Sequence, residues 1–552
     1  MNIAFRVQVE RDDAVLNFAA DEYVRHAAWA QEDSKHRPSS QAWIGTWAAL
    51  QADYPELLHE DELSMMNSSY GDAFLICERD DRLILSGRSE RAALYAVYQY
   101  AADRWGMHWI YPGEKPVRSS PKLDRASFEL YSPSMERRGF VFETVDDAVY
   151  MKSMVDWLAK NKVNEIFFTF MLWDAIGGEL AEDIQRRGLN VTLGGHSMKF
   201  LMKGESAEVG AADHPYTAKK QLIYSDLSWQ GELLDKIAEY SQAVPNLTRL
   251  SLWPEDIAVQ GVDGFLRDYI GFTERLRERL TQANSNVEVE HIAYNAGLSW
   301  HMLERGELFP SSTADTLFAY WGRDYRYPLD HNSNDSDERA CQALQDWIRA
   351  VHENGRQISV FEYYSDHFML TPLFPMLPAR IAEDVAYYRG LGVDGMTNLV
   401  VPVRNMDDYP WQWNHGFNSY VFCRSLWGDP IQEILEDYYA YYSESERQAV
   451  MALHRTIEEL ATELTSWNVP LFPARAVDPA RARAAPEQAK AVIGLLRKLQ
   501  AEVKSQLEAA QLHPQDEPSR CATYLITYAK QIEEQWLQQL LKSTYAYTMP
   551  RP

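Results

Sequence analysis

The sequence predicts an α/β protein: a central (β/α)8 TIM barrel, preceded by a small α/β domain and followed by an α-helical domain. Three observations predict it. Eight strand-like apolar segments lie between residues 136 and 401, and most are separated by stretches with helical periodicity. That alternation fits a closed barrel with an outer ring of helices. A shorter β-α-β-β-α-β pattern precedes it, and no strand pattern follows Asp429-Pro430. The expected divisions are 1–132, 133–430 and 431–552.

In the first division, 3–9 alternates like a strand and 14–30 has helical periodicity. Two short strands, 73–78 and 82–86, flank the charged turn Asp80-Asp81. An amphipathic helix over 90–105 stops at Gly106, and a last strand, 107–111, stops at Pro112-Gly113. The eight barrel strands read as 136–142, 163–171, 189–194, 247–253, 287–294, 316–321, 357–361 and 395–401. Helices are expected over 147–160, 175–187, 230–242, 264–282, 338–353 and 378–391, with the fifth crossover, around 297–312, short and irregular. Helices over 431–442, 444–467, 486–511 and 519–546 make up the last division. They are interrupted by a Pro- and Ala-rich linker, and they offer a surface for self-association.

The chain has 552 residues, with 54 Lys plus Arg against 80 Asp plus Glu, a formal net charge of −26. A charge of that sign argues against nucleic acid and against anionic lipid as partners. Aromatic residues make up 12 % of the chain, a composition that suits sugar binding as well as large cores. Cys77, Cys341, Cys423 and Cys521 are far apart, so they read as unpaired thiols of a reducing compartment. The N-terminal residues lack the apolar core of a signal peptide, and no apolar run has transmembrane length. These features give a cytoplasmic expectation.

A barrel enzyme carries its chemistry at the carboxyl ends of the strands. Going around the expected rim gives Phe142 and Glu143; Trp173 and Asp174; His196 in "GGHSM"; and Trp253, Glu255 and Asp256 in "LWPEDI". Next come Tyr294 and Asn295; Tyr320, Trp321 and Arg323; and Glu362, Tyr363, Tyr364, Asp366 and His367 in "FEYYSDH". The eighth strand brings Asn398, then Arg404, Trp411, Trp413 and Asn414. Carboxylates, flat rings and hydrogen-bonding amides or imidazoles together are what glycosidic bond cleavage uses. Acids on strands four and seven lie on opposite sides of a mouth and can stand about 5–5.5 Å apart, the separation of a retaining mechanism. Rim carboxylates also serve as helix caps, rim tryptophans as packing and rim arginines as ion-pair partners, so the joint pattern is stronger than any one member. There is no HExxH, GxSxG, Walker loop or GxGxxG after a strand, and no metal or other cofactor is expected.

The segment "LILSGRSERAALYAVYQYAADRWGMHWIYPGEKPV" resembles the α/β domain that precedes the barrel in family 20 hexosaminidases and family 67 α-glucuronidases. The segments "GGHSM", "LWPEDI", "VFEYYS", "LGVDGMTN" and "SLWGDPIQEILEDYYAYY" resemble glycoside hydrolase family 163. The resemblance covers roughly residues 70–445 and implies a barrel glycosidase with His196, Asp256 and Glu362 as site positions. Family 163 acts on complex N-glycans as an endo-β-N-acetylglucosaminidase. In family 20 an adjacent Asp-Glu pair supplies the substrate-orienting Asp and the acid Glu; here the order is Glu255-Asp256, which leaves the acid open between them.

The expected function is therefore hydrolysis of an oligosaccharide, with a β-N-acetylhexosaminide-type substrate and a retaining, substrate-assisted or double-displacement course. Glu255 is the first choice for general acid, Glu362 for nucleophile or base, and Asp256 for a group holding a hydroxyl or acetamide. His196, Trp253, Tyr294, Asn295, Trp321, Arg323, Tyr364, Asn398 and Trp413 are the expected substrate contacts. Two alternatives stay open: an α-glucuronidase-like enzyme, with Arg323, Arg326 and Arg404 on the uronate carboxylate, and a sugar-binding barrel without catalysis.

Overall fold

The computed structural model describes residues 6–32, 41–69, 71–79, 82–113, 116–119, 121, 126–202, 211–213, 220–254, 264–295, 300–331, 334–370, 373, 375–401, 411–465, 467, 486–514 and 516–548. Its centre is a closed barrel of eight parallel strands arranged in chain order: Arg137–Phe142, Glu165–Thr169, Asn190–Gly195, Leu247–Leu252, Glu288–Tyr294, Asp315–Ala319, Ile358–Asp366 and Gly395–Val401. The eighth strand pairs with the first, Gly395 opposite Arg137, which closes the ring. Seven of the strands begin and end within a few residues of the sequence expectation. The seventh runs five residues further, to Asp366, with an irregular register between Glu362 and Ser365.

Strand alternation sorts every barrel residue to one of two environments. On the first strand, Phe140 packs against Trp157 and Phe422 of the helical layer. Arg137 points the other way and binds Glu165 and Glu290 of strands two and five across the lumen. Odd-numbered positions of that strand therefore face inward. The lumen floor is ionic: Arg249 bonds Asp315 at 2.6 Å, and Asp315 also meets Arg356 at 2.7 Å. Burying these charges is tolerable because each meets an opposite partner.

The outer helices Ala148–Lys160, Gly178–Gln185, Gln230–Gln242, Phe265–Gln282, Asp335–Glu353 and Pro378–Leu391 follow the expected pattern. The fifth crossover holds one 3-10 turn, Trp300–Met302, among its described residues. The eighth helix, Trp411–Ser425, was not expected from the sequence. Its described side chains are buried or nearly so on all sides, so the sequence shows no apolar stripe to read.

The first division holds a five-stranded sheet in the order Arg6–Val9, Gln41–Thr46, Arg82–Gly87, Phe74–Arg79, Phe128–Tyr131. Gln41–Thr46 and Phe128–Tyr131 were not anticipated. The first is buried on both faces beyond Gln41, so it shows no alternation. The last expected strand shrinks to Met107–His108, paired with Val117–Arg118. Helix Glu90–Trp105 is capped by the Ser89 side chain and ends at Gly106 in the left-handed region, φ 64°. It ties the sheet to the barrel through Tyr95, which donates to the Val163 carbonyl at 2.7 Å. Asp72 adds an ion pair to the barrel's Arg138 at 2.5 Å.

Beyond the barrel run helices Ile431–Tyr439, Glu444–Leu464, Pro486–Ala510 and Glu517–Thr548. All four cysteines are buried thiols. Among the described residues no helix is long and apolar enough to cross a membrane.

Candidate active site

The carboxyl ends of strands two to seven converge on a group of rings. Trp253, at the end of strand four, packs against Phe167 of strand two and Phe361 of strand seven, with centroids 5.2 and 5.3 Å apart. Phe361 meets Tyr363 at 4.9 Å, and Tyr363 meets the edge of Trp321 at 5.0 Å. His196 lies 5.5 Å from Trp253 and 6.4 Å from Tyr294. The rings are buried, whereas His196 is half-buried, so the imidazole stands toward the open side of the group.

Local chemistry explains why "GGHSM" places His196 there. Gly194 runs so close to strand four that a Cβ on it would stand 1.7 Å from the Ser251 carbonyl oxygen. Gly195 turns with φ +65°, a left-handed conformation that glycine adopts without strain. Its carbonyl accepts from the Trp253 amide at 3.1 Å. The chain then delivers His196 to the Pro254 carbonyl, with Nδ1 at 2.8 Å. A carbonyl cannot donate, so Nδ1 carries the proton of the bond, and in the neutral ring Nε2 is the acceptor nitrogen. Tyr294 donates to the same carbonyl at 3.2 Å. The end of strand four is thus fixed from two sides.

Asn295 is buried and serves the fold of the mouth. Its amide donates to the Trp321 carbonyl at 2.8 Å and accepts from the Trp321 amide at 2.6 Å. His196, Trp253, Tyr294, Asn295 and Trp321 are therefore brought together.

Four expected site residues are not in the mouth. Glu362 lies inside the long seventh strand, on its outward parity, facing helix Pro378–Leu391. It accepts from Tyr388 at 2.5 Å, from Tyr325, and from Arg323 at 3.1 Å. Burial pushes its carboxyl above the ordinary range against the pull of Arg323. Arg323 was expected to meet substrate, but Gly322, at φ 90°, turns the chain away from the lumen. Its guanidinium forms a bidentate pair with Asp384, both bonds 2.7 Å. Tyr364 donates to Asp384 at 2.8 Å in the same layer. Asn398 sits on the outward parity of strand eight and donates to Ser365 at 3.0 Å. The sequence reading ended strand seven at Phe361, which made Glu362 a rim residue; the five extra strand residues put it in the wall.

Glu255, Asp256 and Arg404 lie outside the described residues. Trp413 falls in helix Trp411–Ser425 rather than on a loop, and its side chain also lies outside them. Sequence reasoning passed over Phe361 and placed Tyr363 and Glu143 on the rim without a role. Counting inward parity from Arg137 would have marked Glu143. Among the described residues no group of three His, Cys, Asp or Glu could hold a metal ion. A separate polar cavity of about 340 Å3, lined in part by Lys160, Lys162, His108 and Arg424, lies by the amino ends of the strands, away from the mouth.

No protein-family model matches the chain, and no curated protein matches it in sequence. Solved structures do. A family 138 glycoside hydrolase, described as targeting pectin rhamnogalacturonan II, is 11 % identical. It superposes with a TM-score of 0.59 over 97 % of this chain and 70 % of its own. CpGH84D is 9 % identical, with a TM-score of 0.48 over 99 % and 90 % of the two chains. A family 89 glycoside hydrolase from Clostridium perfringens, in complex with PUGNAc, is 10 % identical, with a TM-score of 0.49 over 92 % and 64 %. At these identities the likeness speaks of fold, and the first superposition carries it; membership of family 163 and the family 20 and 67 likeness stay expectations. The chain has a closed (β/α)8 barrel fold, similar to that of the family 138 glycoside hydrolase.

Proposed function

We propose that the protein hydrolyses a glycosidic bond of an oligosaccharide at the carboxyl end of its barrel. The observation that supports this reading most is the mouth itself: a half-buried imidazole set against a wall of packed rings, where strand four is pinned by its Pro254 carbonyl. Glu255 and Asp256 follow that proline directly in sequence. Glu255 is proposed as the general acid and Asp256 as the group that holds a sugar hydroxyl or acetamide. The acid gives its proton to the glycosidic oxygen as the bond from the anomeric carbon to that oxygen breaks. A water oxygen then bonds to the anomeric carbon, and the remaining water proton restores the acid. The proposed substrate is a β-N-acetylhexosaminide. The uronide reading loses Arg323, whose guanidinium is spent on Asp384 and Glu362 in the barrel wall.

Aryl β-N-acetylhexosaminides tested beside aryl α- and β-uronides and a mixture of natural glycans check the proposal. The expected result is release of aryl alcohol from the hexosaminide, and a fall of roughly two to four orders of magnitude in Glu255→Gln with unfolding unchanged. A wild-type protein that binds sugars and cleaves none of these substrates would instead be a binding barrel.

A further inference from the structure

We infer that Glu143 is the carboxylate that faces the anomeric centre of the bound sugar. The inference rests on the glycosidase reading above and names the second member of its carboxylate pair.

The placement follows from the first strand. Arg137 faces the lumen, so Glu143, six residues on at the strand's carboxyl end, falls on the same inward parity. Its carboxylate reaches past the end of strand two to strand three: Oε1 lies 3.3 Å from where a Cβ on Gly195 would stand. Gly195 is the residue before His196, and its carbonyl bonds the Trp253 amide, so the carboxylate lies next to the turn that carries the imidazole. Like His196, Glu143 is half-buried. A substrate can reach both.

Other acids near the strand ends do not meet this description among the described residues. Glu362 and Asp366 are buried, at 3 % and 0 % exposure, and cannot touch a ligand in the mouth. Asp324, at 3 % exposure, is buried as well. Asp174 is exposed within the helical turn Trp173–Gly177. The ordinary structural duty of a rim acid is to cap the next helix, and that duty is taken: Asp147 accepts from the amides of Val149 and Tyr150, both at 3.0 Å. Glu143 stands four residues upstream of that cap.

A carboxylate there supplies negative charge where a glycoside gains positive charge. As the glycosidic bond breaks, the anomeric carbon and ring oxygen become oxocarbenium-like, and a fixed anion against a ring-lined wall stabilises that state more than the ground state.

The experiment uses the full chain with the aryl glycoside that the wild-type protein cleaves. Glu143→Gln is expected to lower kcat by about 10^3-fold with KM changed by less than about threefold. Its thermal unfolding midpoint is expected to match wild type, and Glu143→Asp to recover part of the rate. Formate or azide is expected to restore turnover to Glu143→Ala, which also serves as the readout if the Gln variant does not fold. A Glu143→Gln kcat within tenfold of wild type, a loss confined to KM, or no rescue by the small anion would overturn the inference while leaving the glycosidase reading in place. Wild-type inactivity on every glycoside would overturn that reading, and the inference with it.

Discussion

Two carboxylates share one guanidinium in the wall between strand seven and helix Pro378–Leu391. Arg323 bonds both Asp384 and Glu362, and Tyr325, Tyr364 and Tyr388 donate their hydroxyls to the same pair of acids. A buried ion group of this kind costs more when one member is removed than it adds when complete. Arg323→Met is therefore expected to destabilise the protein by about 3–5 kcal/mol in urea titration, because two buried carboxylates lose their shared cation. Glu362→Gln keeps one acceptor oxygen, for Tyr388 and Arg323, and sets an NH2 against the Tyr325 hydroxyl, so its cost is expected to be smaller, about 1–3 kcal/mol. If Glu362→Gln instead left stability unchanged and abolished turnover, the wall position would be misjudged and Glu362 would belong to the chemistry. Residue types alone pointed to Glu362, since an acid in a Tyr-rich strand end fits a sugar site as well as it fits a wall. Only parity along the strand separates the two.

Strands three and four show how an element can depend on the absence of a side chain. Gly194 stands opposite Ser251, and any Cβ there would meet its carbonyl oxygen at 1.7 Å. Gly194→Ala is expected to force the strands apart and to lower stability by about 3 kcal/mol or more, seen as a fall in the thermal midpoint. An alanine tolerated without loss would mean that the strands can separate freely here. The barrel strands were legible because each is a short apolar run bounded by turn residues, repeated eight times with helices between. The seventh strand's extension was not legible. The residues "YYSD" after Glu362 look like a loop, and their strand conformation comes from pairing Ser365 and Asp366 with Val400 and Val401 past an irregular register. Helix Trp411–Ser425 escaped for the opposite reason: it packs against helix Pro378–Leu391, the seventh strand and helix Ile431–Tyr439, and so carries no polar face to mark its period.

At the scale of the whole molecule, buried histidines set the response to acid. His291 is hydrogen-bonded to Thr316 in the barrel wall and His454 to Tyr439 among the later helices. Burial holds them down to about 4 and about 3 respectively. The unfolded chain takes up protons near pH 6.5, where the folded chain does not, so stability present above that pH is lost as the pH falls toward 4. At pH 5 the loss is about 2 kcal/mol for each histidine. Glu458 works in the other sense: burial, helped by Glu459, pushes it up to about 7, so the folded state gains as the pH falls from 7 toward 4.5. His108, also held down to about 4 by burial, adds a loss of similar size. Because Glu458 is partly exposed, its offset is about 1 kcal/mol, and the net expectation from pH 7 to pH 5 is a loss of roughly 5 kcal/mol in urea titration. Glu458→Gln is expected to be more stable than wild type at pH 7 and to lose stability more steeply on acidification. A wild-type profile that is flat or rises toward pH 5 would contradict the histidine account. The ionic floor of the barrel has a different consequence, for traffic. With Arg137, Glu165 and Glu290 bonded across the lumen and Arg249 joined to Asp315, the well is stoppered at one end. Whatever enters the mouth must leave by it; for the proposed glycosidase, a released sugar and an incoming one would compete for the same doorway, and departure of the first would set a ceiling on how fast the second can be received.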